Sequence, residues 1–296
     1  MRKASCVTAA VLVASLVPSP ALAWGTAAHK YIMGRAIDLL PAELKPFFDA
    51  NRAEIVARSV DPDLWRNVGW PEDPNHFIDF GMKELGEFPF TGLPREYGAA
   101  LEKFGPAMLD KIGRLPWREA EEFGNLRRAF ASFARDGGYG ASDAVLFSGV
   151  AAHYIQDAHQ PFHGSVNYDG QLTGNTGIHA RFERDLFERF QSRLTITPAP
   201  PTPLHNIRDV AFDVLLASYR HVDAILKADS EAIAGKDVYD DAYFEAFFAK
   251  VRPVLEQRIA ASITATAGLI MGAWEEAGKP APTLQRTRTA QRVKKP

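Results

Sequence analysis

Residues 153–183 read HYIQDAHQPFHGSVNYDGQLTGNTGIHARFE, and this window constrains the rest of the chain most. His153 and Asp157 are four residues apart, and so are His179 and Glu183. On a helix each pair projects from one face. His163 follows Pro161, which breaks or kinks the first of those helices. A single His/carboxylate pair at this spacing is an ordinary surface or capping contact. Two such pairs and a third His, in a chain with eight His, are poorly explained by chance. The window also offers more than one zinc needs, since zinc usually takes four N, O or S ligands.

Cysteine usage narrows the chemistry. The one cysteine, Cys6, lies in a stretch expected to be removed. Residues 1–23 read as a secretory signal, with Arg2 and Lys3 at its charged start. Residues 7–17 are an apolar run too short to span a membrane, and Ala21-Leu22-Ala23 is the cleavage site. Trp24 is then expected to open the mature chain, exported to a periplasmic or extracellular space. Without thiols, a metal site must be built from His, Asp, Glu and the new amino terminus. No later stretch suits a stable membrane span, and nothing points to an obligate protein partner. The formal net charge of −2 excludes a basic, phosphate-clamping nucleic-acid binder. It leaves open phosphodiester chemistry in which metals supply the positive charge.

Apolar periodicity predicts a first helix over 24–40, with Tyr31, Ile32, Ile37 and Leu40 on one side. A second helical stretch runs from Pro41 toward Ala57. Further helices are expected over 95–112, 117–135, 177–194, 205–227 and 237–274. The helix carrying His153 follows the break Gly137-Gly138-Tyr139-Gly140, with Ser142 or Asp143 as its cap. Residues 59–94 are rich in Pro, Gly and aromatics, including Trp65, Trp70, Phe88 and Phe90, and read as a long functional loop. No alternating run suggests a sheet, and no repeat is visible. The expected architecture is all-α, a single domain over 24–280. The basic tail 281–296, with Arg286, Arg288, Arg292, Lys294 and Lys295, reads as solvated and disordered.

Three groups outside the window look placed for metal. His29 lies five residues after Trp24, His76 opens HFID, and Asp61 lies fifteen residues before His76. With these, the chain resembles the zinc-dependent phospholipases C and their relatives, the single-strand-specific zinc nucleases. The resemblance rests on Trp24 at the cleavage point, His29 in HKYIMGRAIDLLP, Asp61, NHFIDF, HYIQDAHQPFH and IHARFE, in the family's order. It implies three zinc ions. Two would be bridged by Asp157 and a water. His76 and His153 would hold one of these, with Asp61 as ligand or close neighbour. Trp24, through its amine and carbonyl, and His29 would hold the other. His163, His179 and Glu183 would hold the third. Asp61 and Asp157 are the carboxylates expected to take part in catalysis.

The resemblance leaves the substrate between phospholipid and single-stranded nucleic acid. Glu183 in HARFE, RAID at 35–38 and the lack of disulfides resemble the phospholipase branch. The short step from Trp24 to His29 resembles the nucleases. The aromatics that receive a choline head group do not map onto this chain. A phospholipase C is the first expectation, a nuclease or 3′-nucleotidase the second, and a silent zinc-binding domain the third. Among other residues, His159 reads as a supporting or structural group, and Asp79 as a partner orienting His76 or a turn cap. Asp63 is the alternative to Asp61, and Trp65 and Trp70 line a cleft or pack in the core.

Overall fold

In the computed structural model, described for residues 24–135 and 140–284, every regular element is a helix. The signal segment, residues 137–139 of the glycine break and the basic tail from residue 285 lie outside the described residues. Among the described residues no helix is long and apolar enough to cross a membrane.

The chain is built around the helix Gly140–Ala158. Its sequence is apolar almost all round, the pattern of a helix covered on every side. Ser142 and Asp143 are exposed in its first turn and do not precede it as caps. From Ser148 onward every residue is buried, so His153, Gln156 and Asp157 are carried into the interior. The helices Leu115–Ser132, Arg52–Arg58 and Asp241–Glu276 pack against it. Ala152 and Ile155 belong to the same main core as Ile32, Leu126, Phe130, Ile259 and Ile263. Each fully buried large side chain of this kind contributes about 1.5–3 kcal/mol.

Gly149 explains one close approach. A Cβ there would lie 2.4 Å from Arg58 Cβ and 2.9 Å from Ile55 O. Glycine therefore lets the helix Arg52–Arg58 come near enough for the next residue, Ser59, to reach His153 with its carbonyl. A smaller core of Ile78, Phe80, Leu85, Leu109, Phe212 and Leu215 underlies the segment after His76.

Several expected helices are subdivided. Residues 95–112 form two helices, Tyr97–Phe104 and Pro106–Ile112, parted by Gly105 at φ 69°. Residues 205–227 belong to Ile207–Tyr219 and Val222–Ile233. The stretch 59–94 is not a plain loop: it holds the helix Asp61–Asn67 and two 3-10 turns, Asp73–His76 and Lys83–Leu85.

Candidate metal centre

His29 belongs to the first helix, Thr26–Asp38, and lies on its buried stripe with Ile32, Met33 and Ala36. That spacing is the apolar face of an amphipathic helix, so a polar ring there must find its partners inside. His76 ends the 3-10 turn Asp73–His76. His163 sits in the turn Pro161–Gly164, whose first amide, from Phe162, donates to the Gln160 side chain. Pro161 thus follows the end of the central helix and starts a tight turn that aims His163 back at it. His179 lies in the short helix Ile178–Ala180, and Glu183 in the π-helical turn Arg181–Asp185 that continues it. π-turns recur at functional sites. This one is held by Arg181, whose Nη2 donates to both oxygens of buried Asp229 at 3.1 and 3.0 Å and whose Nε donates to Tyr243 Oη at 3.0 Å.

Three buried groups result, and within each the facing ligand atoms lie within 4.8 Å of one another. The first is His29, His153 and Asp157; the second is Asp63, His76 and His153; the third is His163, His179 and Glu183. Asp157 is common ground. Its Oδ1 lies 3.3 Å from His29 Nε2, and its Oδ2 lies 3.0 Å from His76 Nδ1 and 3.2 Å from His153 Nε2. His163 Nδ1 is 3.6 Å from the same oxygen. In the third group His179 Nε2 lies 2.9 Å from Glu183 Oε2.

Asp61 is not among them. Its carboxylate turns outward and accepts from Arg58 Nη1 at 3.1 Å. Asp63 is buried, with Oδ1 3.9 Å from both His76 Nδ1 and His153 Nε2, and 3.5 Å from Arg66 Nη1. Residues two apart on a helix point about 200° apart, so only one of these acids can face inward. Trp24 is buried beside the centre, its Nε1 donating to Gln156 O at 2.8 Å.

Hydrogen bonds fix which nitrogen faces the centre in three of the rings. His153 Nδ1 lies 2.9 Å from Ser59 O, and His163 Nδ1 lies 2.6 Å from His76 O. A carbonyl only accepts, so each Nδ1 carries the proton. His29 Nδ1 likewise donates to Gln156 Oε1 at 2.6 Å. In the neutral ring each Nε2 then presents a lone pair inward, which is how metal-binding histidines are oriented. His29 Nε2, His163 Nε2, Asp157 Oδ1 and both oxygens of Asp63 are buried without a hydrogen-bond partner. Buried polar atoms are normally paired, so this donor set fits a cation of the zinc type, which takes imidazole and carboxylate.

Burial disfavours charge on Asp157, His153, His163 and Glu183, and their neighbours decide the outcome. Against burial, the imidazoles of His153 and His163 hold the Asp157 carboxyl well below the usual range. Asp157 and Asp63 in turn outweigh burial at His153 and lift it to about 9. At His163 burial outweighs Asp157, and the ring is pushed down to about 3. Burial also raises the Glu183 carboxyl, despite its bond with His179.

A cavity of about 330 Å³ opens onto His76, His163 and His179, with Phe77, Asp79 and Tyr168 in its wall. A larger cleft of about 630 Å³ lies at Asn75, Trp117, Arg118 and Arg208, and no residue of the three groups lines it. Its Arg118 and Arg208 already pair with Glu121 at 2.7 Å and Glu96 at 2.6 Å. Other expectations resolve simply. His159 stands apart, its Nδ1 2.7 Å from Ile155 O. Asp79 neither orients His76 nor caps a turn with its side chain, which makes no hydrogen bond or ion pair among the described residues. Trp65 and Trp70 stack on each other at 5.4 Å. Gln156 and Gln160 were not singled out from the sequence. Gln156 holds His29, and Gln160 donates to Glu183 Oε2 at 2.9 Å. Their signal was a polar amide inside the ligand-bearing window, Gln156 next to Asp157 and Gln160 three residues before His163.

Residues 28–242 match the sequence profile of the zinc dependent phospholipase C family. The chain belongs to that family. No curated protein matches it.

Proposed function

We propose that this chain is an exported hydrolase of the phosphodiester bond in phospholipids, releasing diacylglycerol and a phosphorylated head group. Zinc would be held in three places. Asp63, His76, His153 and Asp157 form one set, and His163, His179 and Glu183 another. Asp157 is shared with the third set, completed by His29 and by the amine and carbonyl of Trp24. The observation that carries the reading is the fixed orientation of His29, His153 and His163, each with Nδ1–H on an oxygen and Nε2 turned inward. When bound, zinc supplies an activated water near neutral pH and positive charge for the phosphate. Around it the protein's own task is positional. Gln156, Ser59 and the His76 carbonyl lock the three rings, Gln160 locks Glu183, and burial keeps bulk water from these bonds.

The test is a substrate panel on metal-replete protein beginning at Trp24. Phosphatidylethanolamine, phosphatidylcholine, single-stranded DNA and RNA are compared at equal enzyme. Diacylglycerol release with little nucleotide release is expected. Efficient cleavage of the oligonucleotides with every phospholipid intact would replace this reading with a nuclease.

A further inference from the structure

After His76 the chain leaves its 3-10 turn in extended form, with Phe77 at φ −150° and ψ 170°. In extended chain, alternate side chains point to opposite sides. Ile78 and Phe80 are buried in the smaller core, and Phe77 and Asp79 take the other side, the wall of the cavity that opens onto His76, His163 and His179. The backbone holds this register: Ile78 N–H donates to His163 O at 2.9 Å, and Asp79 N–H donates to Ile112 O at 2.7 Å. Asp79 is therefore fixed at the cavity wall by bonds that leave its carboxyl untouched.

That carboxyl has no partner among the described residues. Arg66, which lines the same cavity, is engaged with Asp73 at 2.6 Å and Asp63 at 3.5 Å. Burial pushes the Asp79 carboxyl up to about 7, the mark of an acid without a compensating charge. Zinc at the neighbouring sites would offset the phosphate, which leaves the Asp79 carboxylate on the wall without a cation of its own. A phospholipid whose head group carries an ammonium brings that cation itself, two carbons from its phosphate.

We infer that Asp79 selects the head group, receiving the primary ammonium of an ethanolamine-type phospholipid. The inference deepens the phospholipase reading and rests on it. An ionised carboxylate only accepts hydrogen bonds, and a primary ammonium has three to donate. A trimethylammonium has none and depends on an aromatic cage. The aromatic rings on this cavity wall are Phe77, half-exposed Tyr168 and Phe162, the last buried against His179, and the paired Arg66 and Asp73 also line it.

The experiment compares wild type and Asp79→Asn on phosphatidylethanolamine, phosphatidylcholine and phosphatidylglycerol of matched acyl chains in mixed micelles, with zinc saturating. Wild type should favour ethanolamine over glycerol head groups in kcat/KM by roughly tenfold or more, as a charge-assisted hydrogen bond implies. Choline should fall between them. In Asp79→Asn the ethanolamine-to-glycerol ratio should fall toward one, mainly through KM. Calorimetric titration of O-phosphoethanolamine should show weaker binding to the variant, with glycerol phosphate changed much less. Equal wild-type rates on ethanolamine and glycerol lipids overturn the inference and leave the phospholipase reading standing. So does a ratio unchanged in a folded variant, and so does choline matching ethanolamine. If the variant does not fold, the wild-type ratios alone decide. Failure to cut any of the three lipids sinks both.

Discussion

Asp61 and Asp63 are the same residue type two positions apart, yet one faces Arg58 at the surface and the other faces His76 and His153. Asp63→Asn should therefore strip zinc from the protein, and Asp61→Asn should leave its content close to wild type. Metal analysis after gel filtration separates the two, and equal losses would return Asp61 to the centre. Helical spacing paired His153 with Asp157 and His179 with Glu183, because periodicity fixes which residues share a face, and it was the family resemblance that joined His29, His76 and His163 to them. The spacing to His76 favoured Asp61, whereas the phase of a seven-residue helix, which spacing does not give, turns Asp63 toward His76 and His153. Glu119 was not read from the sequence at all. It is wholly buried, and burial, then the like charges of Glu122 and Asp157, push its carboxyl well above the usual range. Above pH 4.5 the unfolded chain gives up this proton while the folded protein keeps it. Stability from this group is thus full at low pH and is lost as pH rises toward and through the folded value. Glu119→Gln removes that slope. Its melting temperature should equal wild type near pH 4.5 and exceed it by several degrees at pH 8, roughly 2–4 °C for each kcal/mol.

Among the elements, the π-helical turn Arg181–Asp185 is supported by residues distant in sequence. His179 and Glu183 meet at 2.9 Å across it, and the Arg181 guanidinium anchors it to Asp229, Tyr243 and the face of Tyr239 at 4.0 Å. Removing the acid leaves a buried charge unmatched, which costs about 3–5 kcal/mol. Asp229→Ala should accordingly lower the melting temperature strongly. Zinc stoichiometry should fall by the share held at His163, His179 and Glu183, and Asp229→Asn should recover part of both. Full zinc content in a melted-down Asp229→Ala would detach the clamp from the site. The sequence showed a helix here, since 178–190 carries a continuous apolar stripe of Ile178, Phe182, Leu186 and Phe190. The π-turn was not legible, because it is set by the fit of Arg181 against a helix some fifty residues later.

At the scale of the molecule, the first described residue is tied to the centre by side chain as well as by position. Trp24 is buried, packs near Phe182 at 6.4 Å and bonds to Gln156 O, next to Asp157. On the proposed export, the intact mass of secreted protein should correspond to residues 24–296. A protein carrying one extra residue ahead of Trp24 should bind less zinc and lose activity, because the α-amine is displaced. Undiminished zinc in the extended protein would remove Trp24 from the ligand set. The helical class and the central helix were legible as a whole, since an apolar run of that length has few other solutions. The pairing of helices was not, because periodicity tells which face is buried and not against what.

The bond between His29 and Gln156 joins residues 127 positions apart, and Arg181 waits a further 48 for Asp229. Read as an order of assembly, this makes the centre a late event. A growing or emerging chain has its first helix long before the residues that will hold His29, and it must carry that buried ring uncovered in the meantime. Long-range closure of this kind slows folding. On the proposed reading, the zinc sites are complete only once these distant parts of the chain have met, so metal binding would be coupled to the last stages of folding.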